Sequence, residues 1–176
     1  MGPQPSWEPS RIDPGWFVHS PFGIHGVGHV ERVRIHALAI AKALGLDERT
    51  TRAIERACAW HDIGRVNDDV DDSHGARSAG RAIELGLPVG EPEEVVHMAL
   101  FAVRWHCVDD RLGLDAVRLT AQPDATEIVF KVLKDADGLD RVRIHDLDPA
   151  HLRLPEGRDR VDVAWRLFKH WDGPGR

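Results

Sequence analysis

The chain has no tyrosine, only two cysteines, no excess of positive charge and no long apolar run. Each absence removes a class of function. Without tyrosine, no mechanism here can use a phenol. Cys58 and Cys107 cannot build a disulfide framework. Both fall in apolar helical surroundings, so two buried free thiols and a reducing, cytoplasmic setting are expected. A formal net charge of −6 argues against a general nucleic-acid coat, which would be basic, although basic residues could still gather around a phosphate. No stretch of eighteen apolar residues exists, so no membrane span is expected. Met1 to Trp16 mixes proline, glycine and charge and lacks the apolar segment of a signal peptide. Internal repeats and low-complexity tracts are absent as well.

What remains is an ordinary globular composition, 42% hydrophobic over 176 residues, enough for one domain with a full core. Strand-like alternation is scarce, and helical spacing recurs. Met1 to Gly28 reads as an extended arm. A first helix is expected from about His29 to Leu44, with Val30, Val33, Ala37 and Ile40 or Ala41 inward and Gly45 as its stop. Asp47 should cap a second helix, Glu48 to Ile63, ended by Gly64. A third runs from Ser73 or His74 to Leu85, with Gly86 as its stop. Pro92 opens a fourth that reaches Cys107, with Glu93 and Glu94 at its positive end. Asp124 should cap a fifth, Ala125 to Val142, and a sixth covers Asp159 to Trp171. The expected fold is all-α, with five or six helices around a site.

Eleven histidines supply that site. His61 and Asp62 adjoin at the end of the apolar stretch Ala57 to Trp60. Neighbours on a helix differ by about 100° of rotation, but at a helix end both can reach one ion, and a carboxylate can also bridge two. Upstream is His29; downstream are His74, His106 and the pair Asp135 and Asp137. Imidazole and carboxylate together bind manganese, iron, cobalt, nickel or zinc. His36 lies two turns beyond His29, too far to share its ion. His29 is the candidate ligand, and His25 a group on the substrate side or behind a ligand. His97 and His106 are roughly 180° apart on one helix, and His106 continues the inner row of Val95 or Val96, Ala99, and Ala102 or Val103. Arg77, one turn after His74, is a candidate phosphate clamp or a partner of the nearby aspartates. Lys131, Lys134 and Arg141 are candidate charge stabilisers or solvated helix charges. Spacing leaves Asp135 and Asp137 equivalent.

His29, His61-Asp62 and Asp137 together resemble the signature of the HD superfamily of metal-dependent phosphohydrolases. The stretches His25-Gly26-x-x-His29-x-x-Arg32-Val33, Asn67-Asp68, His74-Gly75-x-Arg77 and Asp135-Ala136-Asp137-x-Leu139-Asp140 resemble a bacterial branch of it, over about Pro21 to Leu154. The resemblance implies an HD-type helical bundle, with 1–24 an N-terminal arm and 25–176 a single domain. It implies Asp137 rather than Asp135 as the last ligand, and His74 and His106 as ligands of a second ion bridged by Asp62. Members with one metal often carry glutamate three residues after the His-Asp pair. Arg65 stands there in this chain, which favours two ions.

The function expected on that basis is a cytoplasmic hydrolase of phosphate esters, nucleotides or small phosphorylated metabolites, with one or two divalent ions. Asp62 would be central to catalysis, and Arg77 with Lys134 or His25 would offset phosphoryl charge. The alternatives are a di-iron oxygenase using the same six ligands and a non-catalytic nucleotide-binding domain. A small phosphorylated substrate is the expected partner, with no membrane and no extended nucleic acid.

Overall fold

A computed structural model describes residues 6–173. Among them are eight α-helices and no strand: α1 (Val27–Ala43), α2 (Glu48–Trp60), α3 (His74–Glu84), α4 (Glu93–Trp105), α5 (Asp110–Val117), α6 (Pro123–Leu139), α7 (Pro155–Arg158) and α8 (Val161–Lys169). The all-α expectation holds, with eight helices in place of five or six. None is long and apolar enough to cross a membrane.

Helices α1, α2, α4 and α6 pack on one another as the central bundle; α3 lies on α4, α5 on α6, and α8 on α1 and the turn after α6. The expected inner row of α1 (Val30, Val33, Ala37, Ile40 and Ala41) is fully buried. The same holds for Val95, Ala99, Ala102 and Val103 of α4, while His97 is exposed. Helix α2 departs from a one-sided pattern: every residue from Ala53 to Trp60 is buried, as in a helix surrounded by its neighbours. Its outer side carries Glu55 and Arg56, and the N-terminal arm closes over them. Ser10 N–H donates to Glu55 at 2.7 Å, Arg34 pairs with Glu55 at 3.3 Å, and Arg56 donates to the Glu8 carbonyl at 3.0 Å. The buried carboxylate persists because Oε1 takes Ser10 N–H and Arg34 while Oε2 takes Arg56 and the Ser10 hydroxyl.

The stops and caps follow local chemistry. Gly45 and Gly86 take φ of +65° and +69°, the left-handed conformation that ends a helix most readily at glycine. The Asp47 carboxylate accepts from Thr50 N–H at 2.7 Å and caps α2. Three expectations change. Gln122, not Asp124, occupies the N-cap of α6, with Pro123 in the first turn. Pro92 is the N-cap residue of α4 rather than part of its first turn. Gly64 does not end α2, which stops at Trp60. A β-carbon there would lie 2.4 Å from the Ser78 nitrogen, so glycine allows the turn after α2 to press against α3.

Candidate metal centre

Five helices bring their ends to one place. His29 lies in the first turn of α1, His61 and Asp62 just past α2, His74 at the start of α3, His106 just past α4, and Asp137 in the last turn of α6. Helix C-termini leave backbone carbonyls without helical partners, and two of the imidazoles use them. His61 Nδ1–H donates to the Cys58 carbonyl at 2.8 Å, and His106 Nδ1–H to the Val103 carbonyl at 2.7 Å. His74 Nδ1–H donates to the Asp71 carbonyl at 2.5 Å. His29 Nδ1–H donates to Asp140 Oδ2 at 2.7 Å. All four rings are thereby oriented with Nε2 facing inward.

The inward atoms form two pairs. His29 Nε2 lies 3.1 Å from His61 Nε2, and His74 Nε2 lies 2.9 Å from His106 Nε2. Asp62 stands between them, one oxygen toward each pair. Its Oδ2 is 3.4 Å from His29 Nε2 and 3.7 Å from His61 Nε2; its Oδ1 is 3.1 Å from His74 Nε2 and 3.8 Å from His106 Nε2. Asp137 Oδ1 completes the first group, 3.3 Å from His29 Nε2. Two nitrogens held at roughly 2.0–2.1 Å on one ion, at coordination angles of about 90° to 109°, stand roughly 2.8–3.4 Å apart. The spacings in both pairs match that requirement. Two clusters here could hold an ion: His29 with His61 and Asp137, and His74 with His106 and Cys107.

Electrostatics agree with a site built for positive charge. Burial opposes ionisation of Asp62 and Asp137, yet the surrounding imidazoles hold both carboxyls well below the usual range. Burial pushes His61 down to about 3. Burial and Arg143 also oppose protonation of His29, but the Asp137, Asp140 and Asp62 carboxylates outweigh them and raise it to about 9. A proton on His29 thus occupies the first gap at neutral pH when no ion does. The Asp137 side chain is 32% exposed while Asp62 is 3% exposed, so the centre opens to solvent on the Asp137 side.

All six expected ligand residues, His29, His61, Asp62, His74, His106 and Asp137, come together. Asp135, two residues from Asp137, faces away and accepts from the Arg153 and Leu154 backbone N–H groups at 2.9 and 2.8 Å. The other candidates have different surroundings. Arg77 donates to the Gly64 carbonyl at 3.1 Å and pairs with Asp71, the aspartate partnership left open by the sequence. Lys134 holds α6 to α5, with its ammonium 2.6 Å from both the Val108 carbonyl and Asp110. Arg141 pairs with Asp146. His25 Nδ1–H donates to Asp68 at 3.0 Å, and its ring stands edge-on to His29, centroids 5.8 Å apart. Cys58 is buried; Cys107 is half-buried, its thiol donating to the Asp72 carbonyl at 3.2 Å.

Asp140, Arg32 and Asp68 entered the sequence reading only within the resembling stretches, and Arg65 only as a departure from them. Arg65 Nε donates to Asp62 Oδ1 at 3.1 Å. Asp140 and Arg32 were signalled by position, each three residues after a ligand and therefore on that ligand's helix face. No family model, curated protein or solved structure matches this chain.

Proposed function

We propose that the protein is a metal-dependent phosphohydrolase acting on phosphate esters, nucleotides or small phosphorylated metabolites, with an ion in each histidine pair and Asp62 between them. One observation carries this reading: four Nε2 atoms converge on the two oxygens of one carboxylate, and every Nδ1 is committed to an acceptor behind its ring. Mixed imidazole and carboxylate donors suit manganese, iron, cobalt, nickel or zinc. Bound there, such ions lower the pKa of water and withdraw charge from phosphoryl oxygens.

The chain's own groups then have distinct tasks. Burial, more than any neighbouring charge, pulls His25 down, so its imidazole is neutral at pH 7. With Nδ1–H given to Asp68, its Nε2 is free to take the proton that the attacking water gives up. The water oxygen bonds to phosphorus, the phosphorus–oxygen ester bond breaks, and a proton passes to the departing oxygen. Arg65, already beside Asp62, offsets the charge that gathers on the equatorial oxygens. Arg77 and Lys134 pair with Asp71 and Asp110, whereas Arg65, which also donates to the Asp69 carbonyl at 3.2 Å, pairs with Asp62 at the centre itself, which favours Arg65 for this role.

The test is phosphate release from a panel of nucleotides and sugar phosphates, using metal-stripped protein with single divalent ions added back and Asp62→Ala as control. Ion-dependent release that the control lacks supports the reading; equal release by the control contradicts it. The same donors also accept iron. Iron retained through purification, with oxygen consumed and no phosphate released, would favour the oxygenase reading instead.

A further inference from the structure

Arg32 and Asp140 are buried to 3% and 1% exposure, and the chemistry above uses neither. They form a relay behind His29. Arg32 Nε donates to Asp140 Oδ1 at 2.6 Å and its Nη2 donates to Oδ2 at 2.9 Å; that same Oδ2 receives His29 Nδ1–H. The relay does not stop at Arg32. Its guanidinium carbon lies 5.6 Å from the centre of the Phe168 ring and 5.3 Å from that of Trp171. Phe168 is in α8, and Trp171 lies two residues beyond it. The other end of this segment is tied to the same face of α1, where Arg160 Nε donates to His36 Nδ1 at 3.3 Å, four residues after Arg32.

Each link constrains the next. Aromatic rings fix the plane of a guanidinium through stacking and cation–π attraction. That plane sets two nearly parallel N–H bonds, which fix the Asp140 carboxylate. The carboxylate sets the tautomer and rotation of His29. His74 and His106 have backbone carbonyls behind them instead, so the relay reaches one half of the centre only.

We propose that Phe168 and Trp171 are positioning residues for the metal centre: through Arg32 and Asp140 they hold His29, and they set the affinity of the His29–His61–Asp137 half alone. The proposal rests on the metal reading above. Its test separates the halves. His74→Ala leaves the first half intact and His29→Ala the second. Phe168→Leu with Trp171→Leu is added to each, and manganese affinity is measured by competition with a chelating dye. In the His74→Ala background the pair should weaken binding about 10–100-fold, and in the His29→Ala background it should change nothing. Trp171→Phe should restore affinity. Arg32→Lys, which keeps the charge but loses the fork, should reproduce the selective loss even if the aromatic variants fold poorly. Equal weakening in both backgrounds, or none in the first, overturns the proposal alone. No ion bound by the wild-type protein overturns the metal reading and the proposal with it.

Discussion

The Nε2 atoms of His29 and His61 face each other at 3.1 Å while both Nδ1 atoms donate away from the gap. Two lone pairs at that distance would repel, so a cation must lie between them, the His29 proton when no metal ion is bound, and the same facing of Nε2 atoms recurs at 2.9 Å between His74 and His106. Divalent ions should therefore stabilise the fold. An ion at a thousand times its dissociation constant adds about 4 kcal/mol, and each ~1 kcal/mol raises the midpoint of a domain this size by about 2–4 °C. Thermal melts with manganese and with a chelator should differ by roughly 8–16 °C on those two relations. Coincident melts contradict metal binding.

Asp62 turns one oxygen to each histidine pair. Asp62→Asn keeps the shape and removes the charge, so both ions should be weakened together. Elemental analysis after dialysis should find neither retained. One ion kept at full occupancy would mean that Asp62 does not bridge.

Gly64 permits close packing between the His61-Asp62 turn and α3: an added β-carbon would meet the Ser78 nitrogen at 2.4 Å and the Arg77 carbonyl carbon at 2.5 Å. Both neighbours are backbone and cannot rotate aside. Gly64→Ala should cost about 1–3 kcal/mol in denaturant unfolding and should weaken metal binding, because α3 carries His74. A variant as stable as the wild type would show that the turn relaxes freely.

Asp68 receives the Nδ1 proton of His25. Asp68→Asn should lower kcat by on the order of a hundredfold and leave the metal content unchanged, since Asp68 belongs to neither cluster that could hold an ion. Unchanged kcat would remove His25 from the proposed proton transfer.

His36 is fully buried, and burial followed by the Arg160 charge pushes it down to about 4. Its folded pKa lies below the unfolded value of about 6.5. The folded protein therefore keeps the full benefit of a neutral His36 above pH 6.5 and loses it as pH falls toward 4. Across that window the loss approaches about 3 kcal/mol. His36→Leu should flatten this part of the stability–pH curve relative to wild type. Parallel curves for the two proteins would contradict it.

Part of the converging cluster was legible because helical geometry separates candidates: rotation along α4 distinguishes His106 from His97, and rise along α1 distinguishes His29 from His36, whereas the choice of Asp137 came from the resemblance. Asp135 and Asp137 resisted the same reasoning because α6 is buried around most of its circumference, with Val129, Phe130, Val132, Leu133, Asp135 and Ala136 all inside. When both faces are buried, periodicity carries no direction. Helix α5 escaped notice because it is short and interrupted by Gly113, whose missing side chain makes room for the Phe130 ring. The partners of Arg77 and Lys134 depend on the paths of the Asp71 and Asp110 segments, which no local pattern encodes. The burial of Glu55 and Arg56 likewise follows from the arm that lies over them.

The measurement closest to the central claim is a manganese titration of the metal-stripped protein, followed by phosphate release from whichever ester the screen identifies. Two ions sharing Asp62 predict that activity climbs with added manganese and levels off at two equivalents per chain, and that Asp62→Asn stays inactive throughout. Full release without metal, or none at any manganese level from any phosphate ester, would contradict the account.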